Sequence, residues 1–147
     1  MTVDECQNMI QRSFRTPMVR FLREHLEKSG CGIGSNFIKA VHCKGATAGG
    51  YVKGQGIVVC SNRLQIQDEV TQVVIHELIH AYDECRAANL DWSDCAHLAC
   101  SEVIYILNSN QTPFDLFYFF TFWFTVLIQI KLLPFFLFSL INLCIIT

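Results

Sequence analysis

His76, Glu77 and His80 spell H-E-x-x-H inside the stretch Val70 to Arg86. In a helix of about 3.6 residues per turn, His76 and His80 lie one above the other on a single face. Two neutral imidazoles one turn apart can grip one Zn²⁺. Glu77 is rotated about 100° from His76, which puts it beside the metal rather than on it. A carboxylate in that position can take a proton from metal-bound water. The pattern therefore points to metal-assisted hydrolysis. Val73, Val74, Ile75, Leu78 and Ile79 surround the three polar residues, so the helix is read as buried. Buried histidine and glutamate need partners, and a metal supplies them.

Two histidines do not complete a catalytic zinc site, which takes three protein ligands and keeps one position for water. Three residues are candidates, in the order Glu102, His97, Asp83. Glu102 follows His80 by 22 residues, and a helix–loop–helix return can bring its carboxylate back. His97 has suitable chemistry but stands near the start of that second helix. Asp83 is on the correct face, but seven residues of rise separate it from His76 by about 10.5 Å. It is better suited to orienting His80 through the free ring nitrogen.

The elements around the motif follow from local signals. The metal helix is predicted from about Gln67 to Arg86, with Asp68 and Glu69 favouring its N-terminal dipole. Thr2-x-x-Glu5 predicts a capping box and a helix through about Arg15. Thr16-Pro17 opens another, with Met18, Leu22, His25 and Leu26 as its apolar stripe and His25 as a packed histidine. Phe37 to Cys43 reads as a short strand, and Lys44 to Gly50 as turn material. Tyr51-Val52 and Ile57 to Cys60 flank Lys53-Gly54-Gln55-Gly56, a hairpin with a four-residue loop. Ile57 to Cys60 is expected to be the sheet edge that pairs with an extended substrate. Asp91 or Ser93 is expected to cap the next helix. Together these predict an α+β fold, a small sheet with an active-site helix.

The chain has 147 residues and a net charge of −2, so one domain is expected and nothing favours nucleic acid. Its apolar content is uneven. Residues 114–147 hold nine of the twelve Phe and only two charges, Asp115 and Lys131. Residues 1–113 are read as the catalytic domain, incomplete at its C-terminal end. Residues 114–147 are read as an apolar Phe-rich tail, either a membrane segment or read-through sequence. Either way the tail exposes an apolar patch to membrane or to other chains. Seven Cys precede the tail: Cys6, Cys31, Cys43, Cys60, Cys85, Cys95 and Cys100. None forms C-x-x-C, so the spacing does not favour a zinc ribbon. Structural disulfides in an oxidising compartment and buried free thiols both fit such scattered residues. No secretory signal or Arg-rich presequence is visible.

The block H-E-L-I-H-A-Y-D-E-C-R, followed by D-W and H-L-A-C-S-E, resembles one family specifically. It is similar to the mitochondrial inner-membrane metalloproteases that process and assemble a membrane subunit of ATP synthase. These are also described as Ku-binding-protein-type zinc peptidases. The resemblance runs from about Phe21 to Glu102 and includes A-G-G-Y and G-I-V-V-C-S-N. The Q-D-E-V lead-in and A-A-N-L-D-W look most like plant members. The resemblance implies a zincin-like fold, a Zn²⁺ cofactor, the intermembrane-space side of the inner membrane and an ATP synthase subunit precursor as substrate. It assigns metal binding to His76 and His80 and catalysis to Glu77. From Val103 onward the chain departs from the family and looks like a truncated, divergent C-terminus.

Three functions compete on these grounds. The first is a zinc endopeptidase. The second is a non-catalytic assembly factor, or chaperone, on the same fold. The third is an inactive truncated splice product.

Overall fold

The computed structural model of the chain describes residues 1–87, 89–94, 97, 98 and 101. Glu102 and the apolar tail lie outside these residues. The chain divides into two units, Met1–Leu90 and Asp91–Thr147.

The first unit begins with helix α1, Val3–Ser13. The expected capping box is present: Thr2 Oγ1 accepts from the Glu5 amide at 3.2 Å, and Glu5 Oε2 accepts from the Thr2 amide at 2.8 Å. Hydrogen bonding to Thr2, from its backbone amide first and then its side chain, holds the Glu5 carboxyl below its ordinary pKa. α1 buries Cys6, Ile10 and Ser13, spaced for one helical face. Helix α2, Pro17–Lys28, has Pro at its first turn as expected, and buries Val19, Leu22 and Leu26. The buried stripe therefore centres on Val19, not on Met18 and His25. His25 is half-buried, stacks on Phe21 with ring centroids 3.9 Å apart, and its Nδ1 donates to the Phe21 carbonyl.

The sheet has three strands, β1 (Ile38–Val41), β2 (Gly49–Val52) and β3 (Gly56–Cys60), in the order β1-β3-β2. β1 pairs with β3 in parallel, from Ile38↔Ile57 to Val41↔Cys60. β2 pairs with β3 antiparallel, from Gly49↔Val59 to Val52↔Gly56. The chain thus leaves β1, passes to the far edge as β2 and turns back into the middle as β3. This corrects the expectation that Ile57 to Cys60 forms the edge. A strand with a neighbour on each side has no free ladder, and its uniform apolar run suits burial on both faces. Ile57, Val59 and Cys60 are indeed buried. Within the described residues the two edge strands are β1 and β2, and β2 is the one that packs on α3. Gly49 and Gly50, read as turn material, are the first half of that edge strand.

Gly56 opens β3 with φ +100°, and a Cβ there would lie 2.3 Å from the Phe37 carbonyl oxygen. Both the backbone region and the contact demand glycine. Gly56→Ala is expected to lower unfolding free energy by at least about 1–3 kcal/mol, the cost of strained backbone alone. Chemical denaturation measures it; an unchanged midpoint would contradict it.

Helix α3 spans Gln67–Arg86, the predicted bounds. Glu69 Oε2 accepts from the amides of Gln65 and Ile66 and fixes the helix start. Gln67 Nε2 donates to the Met9 carbonyl and ties α3 to α1. Val70, Val74 and Leu78 are fully buried at helical spacing. Burial of each contributes about 1.5–3 kcal/mol, which seats α3 firmly. α3 packs on α1 and α2 and on β2 and β3. Two disulfides add to this. Cys31–Cys85 joins the loop after α2 to the last turn of α3, and Cys43–Cys60 joins the segment after β1 to the end of β3. Cys6 is a buried free thiol whose pKa burial pushes up.

In the second unit, Asp91 Oδ1 accepts from the backbone amide and the hydroxyl of Ser93, which holds the Asp91 carboxyl below its ordinary pKa. The amide of Leu98 donates to the Asp94 carbonyl. Among the described residues no helix is long and apolar enough to cross a membrane.

Candidate metal centre

α3 brings His76, Glu77 and His80 together. One ligand atom from each lies within 4.8 Å of the others. The two Nε2 atoms, one donating to the other, are 2.9 Å apart, and the rings meet edge to face at 4.5 Å between centroids. The i,i+4 spacing produces this stacking, and side chains leaning toward the helix N-terminus aim both rings at one point. Glu77 is 6 % exposed and His80 8 %. Burial at this level is costly for such groups unless they are partnered.

The donor set fits a metal ion. Two ligands bonded at about 2.0–2.1 Å in tetrahedral geometry stand about 3.3 Å apart. The observed 2.9 Å needs an opening of only a few tenths of an ångström. Glu77 projects from the next position round the helix, with a carboxylate oxygen within 4.8 Å of the ring nitrogens. Of the third-ligand candidates, Asp83 stays outside this cluster, as its distance along the helix axis requires. His97 belongs to the second unit, where its Nδ1 accepts from the Asp91 amide at 3.0 Å. Glu102 lies outside the described residues.

Strand β2 borders the site. The position of a Gly49 Cβ would be 3.5 Å from Glu77 Oε1. Further along, Lys53, in the β2–β3 turn, forms an ion pair with Glu84 of α3. That pair raises the Lys53 pKa. Burial, and then the Glu84 carboxylate, push the Tyr51 hydroxyl up as well. From Gly49 of β2 to Lys53 of the following turn, the chain therefore follows α3 from Glu77 to Glu84. The residues that arrange this border escape the motif reading. The Gly-Gly pair was the available signal, since glycine inside a strand marks close backbone approach.

A model of the peptidase M76 family matches residues 4–107. Among curated proteins, "Mitochondrial inner membrane protease atp23" of Schizosaccharomyces pombe is 36% identical over 89 residues, covering 60% of this chain and 48% of that protein. "Mitochondrial inner membrane protease ATP23 homolog" of Homo sapiens is 38% identical over 103 residues, 67% of this chain and 42% of that one. Its Mus musculus counterpart is 39% identical over 102 residues, 67% and 50% respectively. The chain spans half or less of the length of these relatives. No solved structure matches.

Proposed function

Because the chain belongs to the peptidase M76 family, we propose that it is a zinc-dependent endopeptidase with a zincin-like fold. The observation that carries this reading is the convergence of His76, Glu77 and His80 on a buried helix alongside an edge strand. His76 and His80 hold the ion, with Glu102 as the proposed third ligand. A zinc ion held there would supply Lewis-acid polarisation of the scissile carbonyl and lower the pKa of a water beside it. Glu77 accepts the proton of the attacking water and delivers it to the leaving amine. The outer side of β2 is where an extended polypeptide would add as a further strand, aligned along α3.

The proposed place is the intermembrane-space side of the mitochondrial inner membrane. The relatives' names support the membrane. The pairs Cys31–Cys85 and Cys43–Cys60 support an oxidising compartment. The proposed substrate is the precursor of a membrane subunit of ATP synthase, whose assembly the protein assists; the family resemblance of the motif block supports this. In the test, the zinc-loaded chain is incubated with that precursor and with an unfolded polypeptide. Internal cleavage of the precursor, abolished by a chelator and restored by zinc, is expected. Cleavage that persists in chelator would overturn the zinc mechanism. Cleavage of the unfolded polypeptide alone would overturn the substrate.

A further inference from the structure

We infer that Gly49 is a positioning residue that sets the distance between the substrate-bearing edge strand and the helix carrying metal and base. This rests on the reading of Glu77 as the base and β2 as the substrate edge. A Cβ on Gly49 would lie 2.6 Å from Val73 Cγ1 and 2.9 Å from the Val58 carbonyl oxygen. Both contacts are closer than side chains tolerate. Its neighbour Gly50 has nothing within 4 Å of the corresponding point. The requirement for glycine is thus specific to the position facing α3. Gly49 also has no positive φ to demand it; the demand is purely one of space. Val73 precedes Glu77 by one helical turn, so whatever pushes Val73 away pushes the turn that bears Glu77.

The consequences separate cleanly. His76, Glu77 and His80 share one helix, so moving α3 away from β2 leaves their mutual arrangement intact. The outer edge of β2 also keeps its backbone groups. What changes is the gap between a polypeptide on β2 and the groups that attack it. Misplacement by about 1 Å costs about 100-fold in rate.

The test compares the parent chain, Gly49→Ala, Val73→Ala, the double variant Gly49→Ala/Val73→Ala and Glu77→Gln. Zinc per chain is read by equilibrium dialysis, and kcat and KM are read on one unfolded polypeptide. Gly49→Ala is expected to keep one zinc and a KM within about threefold of the parent, with kcat lowered about 100-fold. Val73→Ala removes the closest contact and leaves the Val58 carbonyl in place. The double variant is therefore expected to recover at least about tenfold of the lost kcat. That recovery also supports the inference if Gly49→Ala alone fails to fold. Parent-like kcat in Gly49→Ala, loss of zinc together with kcat, or a double variant with no recovery, folded or not, overturns it. Glu77→Gln separates the two claims. If it cleaves at the parental rate, the base assignment falls; if it is inactive while Gly49→Ala is fully active, only the spacing role falls.

Discussion

Glu77→Gln is expected to bind zinc as tightly as the parent and to lose peptide hydrolysis by about 10²–10⁴-fold, the usual contribution of a positioned general base. Gln is nearly isosteric, so the buried seat beside Gly49 is kept. Its amide cannot take the proton from water, and that single loss isolates the chemical step. The metal site is untouched, because the imidazoles of His76 and His80 converge on each other independently of the carboxylate. Steady-state kinetics on zinc-loaded protein measures the effect. Parental rates in the variant would mean that water is activated by another group.

His80→Ala is expected to abolish tight zinc binding. It removes one of two imidazoles whose Nε2 atoms lie 2.9 Å apart, and with it the geometry of the pair. The loss should exceed the about 10–100-fold that follows removal of a partner merely supporting a ligand. Hydrolysis falls with it, unlike in Glu77→Gln, where zinc stays. Dialysis followed by metal analysis distinguishes the two variants. Stoichiometric zinc retained by His80→Ala would place the ion elsewhere.

The metal helix was legible because its signals are local. The run from Gln67 to Arg86 has no Gly or Pro, and H-E-x-x-H carries its own geometry. The Thr2–Glu5 capping box was legible for the same reason. The sheet was not. Whether Ile57 to Cys60 lies at an edge or in the middle depends on β1, some 19 residues earlier, returning to pair with it in parallel. No period in a four-residue apolar run reports that. Gly49 and Gly50 spell a turn locally, and only the packing of Gly49 on Val73 and Glu77 shows why the strand begins with glycine. The disulfide partners were equally hidden, since spacing alone does not fix connectivity. The stripe of α2 was displaced to Val19 because Met18 and Val19 are adjacent apolar residues and only tertiary packing chooses between them.

In the proposed site one ion sits between His76 and His80 with Glu77 beside it. Anomalous X-ray scattering at the zinc edge from crystals of the zinc-loaded chain locates that ion directly. The expected result is one peak per chain, about 2.0–2.1 Å from Nε2 of His76 and of His80, with the Glu77 carboxylate adjacent and not a ligand. A peak held by cysteines, or no peak between the two histidines, would contradict the account.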